Sequence, residues 1–127
     1  MEKYFADRFA KEWVEAWNSH DLERVLKHYE DVFEMTSPLI VKMTGEPGGT
    51  LRGKAAVGAY WAKALEAIPN LHFDLLSVLV GVNSVTLYYN GHRGPSAEVL
   101  YFSSGGKVAK AVAHYELPPA QVRTGET

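Results

Sequence analysis

Residues 97–116, AEVLYFSSGGKVAKAVAHYE, decide the fold of this chain. Two apolar runs flank Ser103-Ser104-Gly105-Gly106, and residues of these types are typical of a turn. The stretch therefore predicts a β-hairpin, closed either by a two-residue loop at Ser104-Gly105 or by a four-residue loop over 103–106. Both loops give one register, which pairs the following residues: Glu98 with Ala111, Val99 with Lys110, and Leu100 with Ala109.

Alternation along the two strands divides their side chains between two faces. The first face carries a carboxylate within an apolar run, and its members are Glu98, Leu100, Phe102, Ala109, Ala111, Ala113 and Tyr115. The second face consists of Ala97, Val99, Tyr101, Val108, Lys110, Val112 and His114. Both faces are largely apolar, so we expect both to be covered. A carboxylate on such a face is paired, functional or kept neutral by desolvation.

Composition limits the class of protein. The chain has 127 residues, 46% hydrophobic and 22% charged, which suits one globular domain. The net charge of −2 and the lack of a basic run predict no binding to nucleic acid. The chain has no cysteine, which excludes disulfides and thiolate metal sites. The start, MEKYFADRF, lacks the apolar run of a signal peptide, and no stretch reaches membrane-spanning length, so we expect a cytoplasmic protein without a membrane partner.

Three helices are predicted before the sheet. Residues 2–18 have an amphipathic pattern, with Tyr4, Phe5, Phe9, Trp13, Ala16 and Trp17 on the apolar side. Asp21 is a candidate N-cap for a short second helix that extends to about Tyr29. Residues 53–67 form the third predicted helix, which places Tyr60 and Trp61 on its apolar side.

The remaining segments are mainly strand-like. The predicted strands, in addition to the hairpin, are residues 32–36, 39–43, 71–82 and 84–89. Residues 45–50 are predicted as a loop, and a longer connection is expected after Asn90-Gly91 because Arg93-Gly94-Pro95 follows. Together these elements predict an α+β domain over residues 1–117, in which a curved antiparallel sheet wraps three N-terminal helices into a cone. Residues 118–127 are predicted to be a loose tail.

This pattern resembles the SnoaL-like branch of the nuclear transport factor two-like superfamily. The residues that carry the resemblance are Trp13-x-x-x-Trp17-Asn18-x-x-Asp21, Tyr29, Phe33, Ser37-Pro38, Gly49-x-x-x-Gly53-Lys54, Tyr60-Trp61, Glu98-Val-Leu-Tyr-Phe, Gly105-Gly-Lys-Val and Ala113-His114-Tyr115. The resemblance implies a cone-shaped, cystatin-like α+β barrel with an apolar pocket between helices and sheet. It also implies a homodimer through the outer face of the sheet. The superfamily includes isomerases, cyclases, dehydratases, hydrolases and non-catalytic binders, so the resemblance alone selects no reaction.

The ketosteroid isomerase branch provides a residue-by-residue test of this resemblance. Its base is an Asp before the Pro that follows the first strand, where this chain has Ser37. Its oxyanion donors are a Tyr on the first helix and a protonated Asp on the penultimate strand, where this chain has Trp13 and Glu98. Since Ser is no general base at neutral pH, a steroid-type isomerisation is not expected. The last strand of the branch often supplies a polar pocket residue, and His114 is the nearest candidate.

Glu98 and His114 are the candidate catalytic residues. A buried Glu98 has a raised pKa and suits a general acid or an oxyanion donor, whereas a pairing with Arg93, Lys110 or an indole N–H would make it structural. His114 suits a proton shuttle, but the predicted register places it on the face opposite Glu98, where an interface or structural role fits better. A β-bulge would reverse that placement.

Aromatic and polar residues near the predicted pocket are the candidate ligand contacts. They are Trp13, Trp17, Tyr29, Phe33, Ser37, Trp61 and Tyr115, although aromatic stripes of this kind also form ordinary cores and Ser37 also suits a turn before Pro38. His72-x-Asp74 lacks a third metal ligand, so no metal and no cofactor are expected. The prediction is a small-molecule-binding protein, with cofactor-free acid–base chemistry by Glu98 as the first hypothesis. The alternative is a non-catalytic binding or dimeric interaction module.

Overall fold

The chain folds into four helices and six strands in a computed structural model that describes residues 1–118. The helices are α1 (Lys3–Ser19), α2 (Leu22–Leu26), α3 (Pro38–Thr44) and α4 (Lys54–Ala67). The strands are β1 (Tyr29–Thr36), β2 (Thr50–Arg52), β3 (Asp74–Gly81), β4 (Ser84–Gly91), β5 (Gly94–Phe102) and β6 (Val108–Tyr115). The predicted tail lies outside the described residues, apart from Pro118.

The six strands form one curved sheet in the order β2-β1-β6-β5-β4-β3. Every neighbouring pair is antiparallel except β1 and β6, which run parallel. Helices α1 and α4 cover the inner face, where α1 contacts β3 and α4 contacts β1. The predicted α+β class and curved sheet are confirmed, with a fourth helix in addition to the three expected.

The register of the β5–β6 hairpin differs from the prediction by two residues. The loop covers residues 103–107 and is one residue longer than expected, and a bulge at Ala109 adds a second residue. Glu98 therefore lies opposite Ala113 instead of Ala111. Because the side-chain period of a strand is two, the two shifts together leave Glu98 and His114 on the predicted faces. The assignment of Val108 was wrong, since this residue is fully buried in the core.

The segment after β1 is a helix and not the strand predicted over residues 39–43. Ser37 Oγ accepts a hydrogen bond from Leu39 N at 3.1 Å, and Pro38 occupies the first turn of α3. A polar N-cap followed by Pro favours a helix start, and this local signal outweighed the apolar run behind it. The second helix also ends earlier than predicted, because Tyr29 begins β1, and the short strand β2 was missed.

Strands β4 and β5 are joined by a tight turn instead of the longer connection that was predicted. Gly91 pairs with Gly94, which leaves only His92 and Arg93 in the turn. Gly94 has a φ of +89°, a conformation that is readily available only to glycine. The turn therefore brings the side chains of His92 and Arg93 to one end of the sheet.

The apolar side of α1 differs from the prediction at its first turn. Phe9, Trp13, Ala16 and Trp17 are buried as expected, whereas Tyr4 is 66% exposed. Phe5 is also partly exposed and packs edge-on against Phe102 at a ring-centroid distance of 5.5 Å. The buried side of α1 therefore extends from Ala6 to Trp17 and contains both tryptophans.

We expect Asp21→Ala to lower the free energy of unfolding by about 1 kcal/mol, the usual cost of losing an N-cap. Asp21 Oδ1 accepts a hydrogen bond from Arg24 N at 3.2 Å, so the predicted cap is confirmed. Urea unfolding at constant protein concentration measures the change. Asp21→Asn keeps an acceptor and serves as the control, and an equal loss in both variants would contradict the capping role.

Candidate functional site

A cavity of about 90 Å³ lies between the helices and the inner face of the sheet. Trp13 and Trp17 of α1 form one wall, and Trp61 of α4 packs edge-on against Trp17 with ring centroids 5.0 Å apart. The other side of the cavity is the sheet, which contributes Tyr89, Ser96, Glu98 and Tyr115. The lining is mostly aromatic with few polar groups, which is the usual composition of a small-molecule site.

Glu98 is the carboxylate of this cavity and is only 3% exposed. Its cross-strand neighbours on the inner face are Leu87 and Ala113, which offer no charge. The Tyr89 hydroxyl donates a hydrogen bond to Glu98 Oε1 at 3.2 Å, and no cation within residues 1–118 forms an ion pair with it. Burial raises the pKa of Glu98 to about 7, although the hydrogen bond from Tyr89 acts in the opposite direction.

Four tyrosine hydroxyls lie near Glu98 and remain protonated. Burial raises the pKa of Tyr29, Tyr60, Tyr89 and Tyr115, and the charge of Glu98 raises each of them further. These tyrosines come from β1, α4, β4 and β6, so they approach Glu98 from four elements. The group that exchanges a proton near neutral pH in this cluster is therefore Glu98, and the tyrosines are hydrogen-bond donors.

The two tryptophans of α1 differ in the state of their indole N–H groups. Trp13 Nε1 donates a hydrogen bond to the Tyr29 hydroxyl at 2.9 Å, in a fully buried contact. Trp17 Nε1 is buried and has no hydrogen-bond partner among the described residues. An unsatisfied buried N–H costs about 1–3 kcal/mol. Of the two indoles that the sequence offered as donors, only that of Trp17 is without an acceptor among the described residues.

Arg93 and His92 line the mouth of the cavity from the β4–β5 turn. Both side chains are exposed to solvent, which places them at the opening, whereas Trp17 and Glu98 lie inside. Arg93 forms no salt bridge with a carboxylate in the described part of the chain. The mouth therefore carries a positive charge.

The remaining predicted site residues lie outside the cavity lining that residues 1–118 form. Tyr29 and Phe33 pack behind Trp61, at ring-centroid distances of 5.2 and 5.8 Å. Ser37 is buried and caps α3. His114 is exposed on the outer face opposite Ala97, so the structure does not bring it to Glu98.

The described residues show neither a metal cluster nor a membrane span. His72 Nε2 lies 3.2 Å from Asp74 Oδ1 at the surface, and within residues 1–118 no group of three His, Asp or Glu side chains converges to hold an ion. None of the four helices of this region is both long and apolar enough to cross a membrane.

Sequence reasoning missed Tyr60, Tyr89, Ser96 and Arg93 as lining residues. Tyr89 and Ser96 are cross-strand partners on the inner face, two residues from Leu87 and Glu98. A correct position for the β4–β5 turn would have revealed this pairing, because alternation then assigns both residues to the face of Glu98. By contrast, no local pattern signals the approach of Tyr60 from α4.

Comparisons with known proteins agree on the fold and leave the reaction open. A sequence profile described as a SnoaL-like domain matches residues 10–119. No curated protein matches the chain. A SnoaL-like protein of unknown function from Burkholderia thailandensis E264 is similar in structure, with 51% identity, a TM-score of 0.89 and coverage of 91% of this chain and 97% of that one.

Two more distant structures share the fold alone. One is a protein of the SnoaL-like family from Agrobacterium tumefaciens C58, thought to be an isomerase, with 16% identity, a TM-score of 0.68 and coverage of 89% and 98% of the two chains. The other is TerC, co-crystallised with polyporic acid, with 13% identity, a TM-score of 0.72 and coverage of 88% and 92%.

Proposed function

The chain belongs to the SnoaL-like family, and from this premise we propose that its cavity binds a small, mostly apolar carbonyl compound and moves a proton on it without a cofactor. The observation that carries the proposal is the state of Glu98. It is a buried carboxylate that forms no ion pair with any residue of 1–118, and it lines an aromatic cavity. With a pKa of about 7, it is present in both protonation states at neutral pH.

The proposed reaction is an enolisation that leads to isomerisation. Ionised Glu98 takes a proton from the carbon next to the carbonyl, and the electron pair of the broken C–H bond moves to form an enolate. The Trp17 N–H and the hydroxyls of Tyr60 and Tyr115 stabilise the negative oxygen, since all three belong to side chains that line the cavity. Protonated Glu98 then returns the proton to the same or to a conjugated carbon, so no atom or electron is gained or lost.

Deuterium exchange tests this proposal with 2-indanone, a compact bicyclic ketone with acidic protons next to the carbonyl. We expect the protein in D₂O to accelerate the loss of these protons above the buffer rate, as followed by proton NMR. Indane has the same ring system without the carbonyl and serves as the matched ligand. Calorimetry should show weaker binding of indane, because Trp17 Nε1 then remains unsatisfied.

Binding of 2-indanone without any exchange above the buffer rate would contradict the catalytic proposal. That result would favour the second candidate, a non-catalytic binding module. At the position of the catalytic Asp of the ketosteroid isomerase branch, this chain has Ser37, which caps α3 and is no general base. This difference favours the non-catalytic binding module. If 2-indanone failed to bind at all, the proposed ligand class would be wrong.

We also propose that the protein is a homodimer through the outer face of the sheet. A cross-strand row on this face consists of Leu79, Thr86, Val99 and Val112. Leu79 is 58% exposed, and Tyr88 and Tyr101 on the same face are also exposed. A second copy would cover this apolar row, which supports the interface that the family resemblance implies.

We expect Leu79→Glu to weaken self-association by about tenfold or more, because a charge would have to be buried at the interface. Sedimentation velocity over a range of micromolar concentrations measures the change. Val82→Glu is the control, since Val82 is 87% exposed in the β3–β4 turn. A wild-type protein that sediments only as a monomer would refute the dimer.

A further inference from the structure

Besides the Glu98 carboxylate and the tyrosine hydroxyls, the cavity lining contains an N–H donor inside and a cationic donor at its mouth. Inside, the buried Trp17 N–H has no acceptor among residues 1–118. At the mouth, Arg93 carries a full positive charge and contacts no carboxylate of the described chain. A ligand that matches both ends needs an acceptor oxygen inside and a negative charge at the opening.

The charge of Arg93 acts on the interior of the cavity as well as on solvent. Burial raises the pKa of Tyr60 and Tyr115, and the positive charge of Arg93 opposes this shift at both hydroxyls. Arg93 is therefore close enough to influence groups that line the cavity. Its position in a two-residue turn between paired strands limits how far its backbone can move away.

The alternative role of Arg93 is to keep the β4–β5 turn hydrated at the rim of the cavity. In that case its guanidinium would contribute nothing to ligand choice. The sign of the other lining charges argues against this role, because Glu98 is the only carboxylate that residues 1–118 contribute to the lining, and it lies inside, remote from solvent. Within the same residues, the mouth has no acidic group that would neutralise Arg93, so an incoming anion is attracted.

We propose that the natural ligand is a small oxo acid, with its carbonyl oxygen at Trp17 Nε1 and its carboxylate at Arg93. This inference rests on the proposed function and specifies its substrate class. The apolar body of the ligand would lie against Trp61 and Phe73, which line the same cavity. The carboxylate would stay near water at the mouth, so only the uncharged part of the ligand is desolvated.

Titration calorimetry with 4-oxo-4-phenylbutanoate and its methyl ester tests this inference. The two probes have the same ketone and ring, and they differ in the negative charge. We expect the wild-type protein to bind the acid about tenfold more tightly than the ester, and this preference should shrink in high salt. Arg93→Gln should remove the preference by weakening acid binding alone, and Arg93→Lys should restore part of it.

Trp17→Phe serves as the matched variant at the other end of the cavity. It removes the N–H, so we expect it to weaken the binding of acid and ester equally. Equal affinity of the wild-type protein for acid and ester would overturn the oxo acid assignment, as would an equal loss of both in Arg93→Gln. Either result would leave the exchange of 2-indanone as a separate test, so failure of this inference is distinguishable from failure of the proposed function.

Discussion

Glu98→Gln should reduce the rate of deuterium exchange in bound 2-indanone by at least about 100-fold, the lower part of the range for loss of a general base. The amide has nearly the same size and can still accept the hydrogen bond from Tyr89, but it cannot take or return a proton. Binding of 2-indanone should change little, because the cavity keeps its shape and the Trp17 donor. NMR measures the exchange rate, and calorimetry measures the affinity.

The pH dependence of the wild-type rate provides an internal control. Exchange needs ionised Glu98, so the rate should rise with pH and reach half of its plateau near the pKa of about 7. Tyr89→Phe removes the hydrogen bond that lowers this pKa, so the midpoint should move to higher pH. If Glu98→Gln exchanges at nearly the wild-type rate, another group is the base and the mechanism is wrong.

The second large effect concerns stability. The pKa of Glu98 is about 7 in the folded protein, against 4.5 for an unperturbed glutamate. Folding therefore favours the protonated form, and the stabilisation that this form contributes is complete below pH 4.5 and is lost as pH rises through 7. At about 1.4 kcal/mol per pKa unit, the loss is about 3 kcal/mol.

Glu98→Gln does not ionise and should escape this loss. We expect the variant and the wild-type protein to be similar in free energy of unfolding near pH 4.5, and the variant to be about 3 kcal/mol more stable near pH 8. Urea unfolding at a fixed protein concentration measures both, since self-association also affects stability. Glu116→Gln, at an exposed carboxylate, is the control and should show no such divergence.

The sign of the pH dependence of stability distinguishes a Glu98 that is paired with a cation from a Glu98 that is desolvated. A carboxylate paired with a cation has a lowered pKa, so its replacement by Gln would destabilise the protein increasingly as pH rises. A desolvated carboxylate gives the reverse sign. If the variant and the wild-type protein showed the same pH dependence, Glu98 would be exposed to solvent in the folded state, and the site described here would be wrong.

Local patterns predicted most of the elements and failed where two local signals competed. The amphipathic repeat of α1 and the Asp21 cap are such local patterns, and both predictions are confirmed. Residues 39–43 were misassigned because their apolar run favoured a strand, whereas Ser37 and Pro38 initiate a helix. A longer connection was predicted after β4 because Arg93-Gly94-Pro95 follows Asn90-Gly91, but Gly91 and Gly94 pair and leave a two-residue turn.

The sequence by itself determined the face on which Glu98 lies, opposite that of His114, because alternation has a period of two and survives a register shift of two residues. The tertiary structure decided the chemistry of that face. Trp13 and Trp17 are equivalent in the sequence, but only Trp13 meets a hydroxyl, from Tyr29 on another element. The surroundings of Glu98, in which the described chain places no paired cation, likewise depend on groups that are distant along the chain. Periodicity is a local property, whereas the hydrogen-bond partners and desolvation that set donor availability and pKa come from elements that meet only in the folded chain.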